Sequence, residues 1–423
     1  MENIIHSVTL DKEKCKGCTN CIKTCPTQAI RVRYQKANIL QYVCIECGEC
    51  IRVCPDHAKK AITDSFDILN NYKYKIALPA PAFYGQFEKA TSINSILNGL
   101  IKSGFDDVFE VAYAAQLVTK KTKELIASGK LSVPIINSAC PAVVKLITTK
   151  YPSLIDNIIP LISPMNLAAR LARMIAEEKT PYKGDEIGIF FITPCAAKAT
   201  CTKTPHGLKK SCIDGVFSFK DMYLKVIAHL KDSGDELSRS GFKGVCWANS
   251  GGEVASLDIE NYITVDGIHN VMHVFDEIEN DKLADVDYIE ALACVGGCVG
   301  GPLTVENNFV AQTRVKRISK TAADRPIANL PEVDIMWEVP VATRKQRTLD
   351  DDMFVAMQKL SKLEEIYETL PKLDCGSCGA PSCRALAEDI VRGYSKESDC
   401  IFVFKERIAQ MANEMLEVQS EDV

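Results

Sequence analysis

Two copies of one cysteine spacing fill the first 55 residues and leave little freedom in how that stretch can fold: Cys15-x2-Cys18-x2-Cys21-x3-Cys25-Pro26 and Cys44-x2-Cys47-x2-Cys50-x3-Cys54-Pro55. Thiolates are soft ligands, and C-x2-C-x2-C delivers three of them to one iron-sulfur cube within a short turn. The fourth cysteine, ahead of proline, ligates the other cube in two-cluster chains of this spacing. The pattern assigns Cys15, Cys18, Cys21 and Cys54 to one [4Fe-4S] cluster and Cys44, Cys47, Cys50 and Cys25 to a second. Residues 29–33 and 38–40 between them read as short strands.

The chain carries nineteen cysteines in 423 residues. A disulfide framework would suit a small secreted domain, but this chain is large, and residues 1–11 lack a cationic stretch followed by an apolar one. Metal ligation is the better account. Cys294 and Cys298 sit among Gly296, Gly297, Gly300 and Gly301, which let the backbone turn tightly and approach a bulky inorganic ligand. Cys140 lies in Asn137-Ser138-Ala139-Cys140-Pro141, and Cys195 in Thr193-Pro194-Cys195-Ala196-Ala197-Lys198. A last group is Cys375-x2-Cys378-x4-Cys383 with Cys400, a set that suits a [4Fe-4S] cluster or a structural zinc. These groups account for sixteen cysteines and leave Cys201, Cys212 and Cys246.

Net charge is -5, with basic residues scattered and no basic stripe interleaved with aromatics, so nucleic acid is excluded as a partner. No apolar run approaches the ~18 residues that span a bilayer. A cytoplasmic protein is expected.

Residues 75–81, 107–111, 133–137, 187–192 and 286–289 read as buried strands, each near a helical stretch, which is α/β alternation. Cys140, Cys195 and Cys294 fall at or just past three of these runs. Functional groups in α/β sheets gather at the carboxyl ends of strands, so the ligands can converge between two lobes. Residues 310–347 are broken by Pro326, Pro331 and Pro340. Asp350, Asp351 and Asp352 then open a helix with Phe354, Met357, Leu360, Leu363 and Ile366 on one packing face. His206, in a polar loop, reads as solvated. Three domains are expected, at residues 1–62, 63–347 and 348–423.

The three stretches around Cys140, Cys195 and Cys294–Cys298, in that order, resemble the cysteine signatures of the [FeFe]-hydrogenases. The likeness extends to Ala80-Pro81-Ala82, Ser163-Pro164 and Ser250-Gly251-Gly252, covering roughly residues 75–310. It implies an α/β, two-lobed H-cluster domain flanked by a bacterial ferredoxin-like α+β domain and a small, mostly helical C-terminal iron-sulfur domain. The cofactors implied are three accessory [4Fe-4S] clusters and the H-cluster, a [4Fe-4S] unit bridged to a di-iron unit with CO, CN and dithiolate ligands. Cys140, Cys195, Cys294 and Cys298 would hold it, with Cys298 as the bridge. Lys198, Pro81 and Ser163 would line the di-iron site, with Lys198 donating to a cyanide. H2 and protons would be the substrates, and a redox or downstream signalling protein the partner. Residues 374–383 further resemble the small [4Fe-4S] domain of membrane electron-transport complexes and corrinoid iron-sulfur proteins.

The departures from the family matter as much. Its proton-carrying cysteine before the first ligand is Ala139 here, and its first relay glutamate falls at Lys121 or Thr122. Two flanking methionines are Thr193 and Leu292, a glutamine is Met165, and an acid three residues past Lys198 is Cys201. Cys201 and Cys246 are candidate substitute relays, and Glu253 and Glu290 candidate acids. The expectation is a divergent, hydrogen-sensing member with low turnover. The alternatives are a catalytic hydrogenase with a rerouted proton path, or an iron-sulfur electron-transfer or cluster-assembly protein without the di-iron unit.

Overall fold

Runs of isoleucine, valine and phenylalanine bounded by glycine or proline become the strands of two parallel sheets. A computed structural model describes residues 6–88, 92–230, 234–322, 330–344 and 348–421. Pro326 and residues 1–5 lie outside the described residues. The strands are β1 (Val8–Leu10), β2 (Ile30–Arg33), β3 (Lys36–Ile39), β4 (Lys59–Ala61), β5 (Tyr74–Pro79), β6 (Asp107–Val108), β7 (Ile135–Ile136), β8 (Ile187–Thr193), β9 (Gly215–Ser218), β10 (Tyr262–Asp266) and β11 (Tyr288–Leu292).

The chain falls into two compact units, residues 1–8, 45–48 and 61–344 in one and residues 9–44, 49–60 and 345–423 in the other. The first unit is α/β. One sheet has the order β6-β5-β8-β9 and the other β10-β11-β7, with every pairing parallel. Parallel sheets are covered on both faces and need near-continuous apolar strands, and all seven residues of β8 are buried. Phe190 of β8 and Phe217 of β9 stack with ring centroids 5.6 Å apart. Gly188 and Gly215 make room for that ring: a Cβ at Gly188 would stand 2.6 Å from Phe190, and one at Gly215 2.8 Å. The second sheet packs on Val143, Leu146, Ile147, Val271 and Phe275.

The other unit contains the antiparallel hairpin β2–β3, whose turn residues Tyr34 and Gln35 both have positive φ, 50° and 59°. Two successive left-handed residues match the right-handed twist of the flanking strands. The helices Met353–Thr369, Cys383–Val391 and Ile401–Glu421 complete it. The fold class is as expected, but several local readings change. The strand at 107–111 ends at Val108 because Val111 already opens the helix Val111–Ala127. The run at 286–289 shifts to Tyr288–Leu292, whose five residues are all buried. Asp352 caps its helix by accepting from the backbone N–H groups of Phe354 and Val355, but only Leu363 and Ile366 of the expected face are buried. Phe354 and Met357, 70% and 62% exposed, stay in solvent, while Val355 and Ala356 of the same turns are half-buried. None of the described helices is long and apolar enough to cross a membrane.

Phe190 is wholly buried against three rings, so Phe190→Ala should cost about 3–5 kcal/mol of stability, read as a lowered denaturant midpoint with unchanged slope.

Candidate metal centres and the cavity beside them

The carboxyl ends of β7, β8 and β11 carry Cys140, Cys195 and Cys294 toward one place. Cys140 is the N-cap of the helix Pro141–Lys150 and Cys195 that of Ala196–Cys201, while Cys294 lies two residues past β11. These three and Cys298 line one cavity of about 360 Å³. The loop reaches it only because glycine stands at 297 (φ 90°) and 301: added Cβ atoms would lie 2.5 Å from the Ser250 nitrogen and 2.3 Å from the Pro194 oxygen. Burial raises the thiols of Cys140 and Cys195, the latter to about 11, so as free side chains they would stay protonated. Metal ligation is what would make them thiolates.

A second cavity, of about 590 Å³, adjoins the first through the shared residues Cys298, Lys198 and Leu292. Pro81, Ala139 and Ser163 line it, together with Met165, Trp247, Glu253 and Glu290. The Lys198 Nζ donates to the Cys298 sulfur at 3.2 Å. Burial alone would lower its pKa, but negative charge on the Cys298, Cys195 and Cys140 sulfurs outweighs that, so the ammonium is held charged once those sulfurs are thiolates. Cys201 and Cys246 lie outside both linings. The Cys201 thiol is buried near His206, Lys145 and Glu46, and the Cys246 thiol is bonded to Ser319. Thr193 is turned away as well, its Oγ1 accepting from the Cys195 nitrogen at 3.1 Å. Of the two positions offered for the relay glutamate, Lys121 is on the surface paired with Glu124, and Thr122 is the one that points inward.

The acids in this cavity are set by neighbours that no spacing rule reveals. Glu253 accepts from the Tyr288 hydroxyl at 2.6 Å and the Asn137 amide at 3.0 Å. Glu290 accepts from the backbone N–H groups of Gly251 at 2.9 Å and Val254 at 3.0 Å. Desolvation raises both carboxyls, and for Glu290 the charge of Glu253 adds to the rise. Two interacting acids in such a site share protons as a pair.

A further buried carboxylate was not foreseen. Glu46, in the second cysteine turn, ion-pairs with Lys145 and accepts from Thr200 and from the Ser7 nitrogen. Lys145 belongs to the helix that begins at Cys140, and Thr200 to the helix that begins at Cys195. His206, expected in solvent, has its Nε2 shut off without a partner among the described residues, and burial, Lys145 and Arg344 lower its pKa to about 3.

In the other unit the cysteine repeat is visible in the hydrogen bonds. The Cys25 sulfur accepts from the Ala29 nitrogen and the Cys54 sulfur from the Ala58 nitrogen, both at 3.2 Å. Burial raises Cys21, and raises Cys50 to about 12. The Lys59 ammonium is buried without a hydrogen-bond partner among the described residues, and its charge acts on both Cys21 and Cys50. An orphaned cation there fits anionic clusters that supply the missing acceptors. Cys375, Cys378, Cys383 and Cys400 line a third cavity, of about 300 Å³. Among the described residues no group of three His, Cys, Asp or Glu side chains is placed to hold a metal ion.

Residues 73–255 and 224–302 match the family described as iron only hydrogenase large subunit, C-terminal domain. Residues 7–55 match a 4Fe-4S dicluster domain, and residues 370–402 an Fe-S cluster family. The chain is 26% identical over 365 residues to the periplasmic [Fe] hydrogenase large subunit of Nitratidesulfovibrio vulgaris, an alignment covering 70% of this chain and 86% of that protein. It is 22% identical over 368 residues to iron hydrogenase 1 of Clostridium pasteurianum, covering 70% of this chain but 64% of that one. A solved [FeFe]-hydrogenase variant from Chlamydomonas reinhardtii superposes with a TM-score of 0.46 at 17% identity, over 57% of this chain and 84% of that one.

Removing one partner of a buried ion pair strands the other charge. Lys145→Met should therefore destabilise the protein by about 3–5 kcal/mol, and a Glu46→Gln, Lys145→Met double variant should recover part of the loss in the same denaturation assay.

Proposed function

Because this chain belongs to the [FeFe]-hydrogenase family, we propose that it is a hydrogen-sensing member that oxidises H2 slowly and reversibly and hands its redox state to a separate partner protein. The observation that carries the reading is the lining of the larger cavity. Ala139 stands in the cavity wall where the family's proton-carrying thiol is expected, and Glu253 and Glu290 are the acids present.

In this reading Cys140, Cys195, Cys294 and Cys298 hold the cubane of the H-cluster. Cys298, a cysteine that lines both adjoining cavities, would be the ligand nearest the larger one. Bound there, the cofactor supplies the splitting and forming of H2. The protein's work is different. Lys198 offers a charge-assisted donor inside an enclosed site, and Pro81 and Ser163 shape its wall. The Glu253–Glu290 pair keeps a proton at a carboxyl oxygen near neutrality, because desolvation disfavours the doubly charged state. The Ala139 methyl carries no proton, so transfer between the acids and the reacting site lacks its usual step. Proton delivery by a positioned group commonly contributes 10²- to 10⁴-fold, which makes slow turnover the expected consequence.

The remaining twelve assigned cysteines hold three accessory [4Fe-4S] clusters in this reading, and the unpaired Cys201, Cys212 and Cys246 suit a reducing, cytoplasmic compartment. The Glu253–Glu290 pair also favours a second reading, a catalytic hydrogenase with a rerouted proton path. Turnover rate separates the two.

Infrared spectroscopy of the anaerobically matured protein should show bands of bound CO and CN; their absence would leave an iron-sulfur protein without hydrogen chemistry. H2 evolution should fall as pH rises through the raised carboxyl pKa values, since the pair then loses its last proton. Glu290→Gln should lower turnover by about 10²-fold and flatten that limb, leaving the infrared bands in place. Ala139→Cys should raise turnover, with tenfold corresponding to about 1.4 kcal/mol off the barrier. A fast wild type that is indifferent to Ala139→Cys would instead support the rerouted catalyst.

A further inference from the structure

The C-terminal cysteine cradle does not stand alone: within its compact unit it is fastened to the N-terminal cysteine repeat. Strand β2 pairs with β3 on one side only, and on its other edge the Val32 nitrogen donates to the Gly379 carbonyl at 2.7 Å. The Arg33 guanidinium donates to the Cys378 carbonyl at 2.7 Å, so both acceptor carbonyls of this contact belong to the C-terminal cysteine turn itself. Asp389 lies on the helix that starts at Cys383. Its carboxylate accepts from Arg31 at 2.7 Å and from Arg33 at 2.8 Å, with side-chain exposures of 8%, 10% and 25% for Asp389, Arg31 and Arg33.

Two glycines set how close the modules come. A Cβ at Gly379 would stand 1.9 Å from the Val32 oxygen, and one at Gly376 would stand 3.2 Å from the Ile22 side chain and 3.6 Å from that of Lys23. Ile22 and Lys23 belong to the short helix that carries Cys21. A larger residue at 379 would force the cradle off the strand. A carboxylate shared by two guanidiniums is demanding to bury and is specific in geometry, so it fixes orientation as well as contact.

We propose that Arg31, Arg33 and Asp389 clamp the C-terminal cradle onto the N-terminal repeat so that its cluster lies in series with that of Cys15, Cys18 and Cys21, making this domain the outer end of the electron chain that a redox partner meets. The proposal rests on the reading that both cradles hold [4Fe-4S] clusters. The step it entails moves one electron and neither proton nor bond: one cluster is oxidised by one electron and its neighbour is reduced by one.

The test uses the full-length, anaerobically reconstituted and reduced protein, read by electron paramagnetic resonance. The spectrum of Cys378→Ala, which lacks the C-terminal cluster, gives the N-terminal pair together with the cubane of the larger unit. The wild-type spectrum should not be the sum of that spectrum and a separate narrow signal, because neighbouring reduced clusters broaden one another. In Asp389→Ala it should become that sum with iron content unchanged, and Asp389→Glu should retain the wild-type form. Arg33→Gln gives the same readout without altering the C-terminal domain, should Asp389→Ala lose iron. A wild-type spectrum that is already the plain sum, zinc in the C-terminal cradle, or a wild-type form kept in both Asp389→Ala and Arg33→Gln would overturn the proposal. Loss of the CO and CN infrared bands would bear on the hydrogenase reading and leave this one standing.

Discussion

The buried carboxylate of Glu46 ties together the parts that must agree for the larger unit to present its ligands. It sits at φ 60°, a left-handed conformation that the equivalent position of the first cysteine turn gives to Gly17 at φ 69°. A glutamate there pays a steric cost of about 1–2 kcal/mol. That cost is offset by what the side chain reaches: Lys145, Thr200 and the backbone of Ser7, with the His6 ring 3.8 Å away. Two of these partners, Lys145 and Thr200, ride on the helices that start at Cys140 and Cys195, so one carboxylate sets the positions of both helices. Buried ion pairs seldom add much net stability, but they allow few alternative arrangements.

Around that anchor the parallel sheets do the placing. A parallel strand must hand the chain to a crossover at its carboxyl end, and the loops at those ends are where β7, β8 and β11 release Cys140, Cys195 and Cys294. The price of convergence is paid in glycine, at 297 and 301, where any side chain would strike backbone. The result is two joined cavities with Cys298 and Lys198 in the common wall. The same burial that raises the Cys140 and Cys195 thiols raises the two glutamates, because in both cases the exclusion of water disfavours the charged form.

Much of this was legible in the sequence. Cysteine spacing within a turn is a local property, and the repeat, the C-terminal set and the glycine-flanked pair at 294 and 298 could be read directly. So could the α/β class, since apolar strands alternating with helices need no tertiary information. Boundaries were less secure where two signals overlapped, as at Val108–Val111, where an apolar run serves first a strand and then a helix. The helix face at Phe354, Met357 and Leu360 had the right periodicity for burial, but periodicity states which residues share a side and not whether anything covers it.

The sequence by itself determined which cysteines lie close enough to act together, because three soft donors within a few residues stay near one another wherever the chain goes next. Only the tertiary structure decided which polar groups share an enclosure. Asn137, Glu253, Tyr288 and Glu290 are brought together by β11 and the loop at 250–254, and Glu46 meets Lys145 across 99 positions of chain. It also decided that His206 is shut from water while Cys201 and Cys246 face away from the cavity. A side chain's titration and reach depend on the dielectric and the partners around it, and those are supplied by segments distant in sequence, for which no local pattern exists.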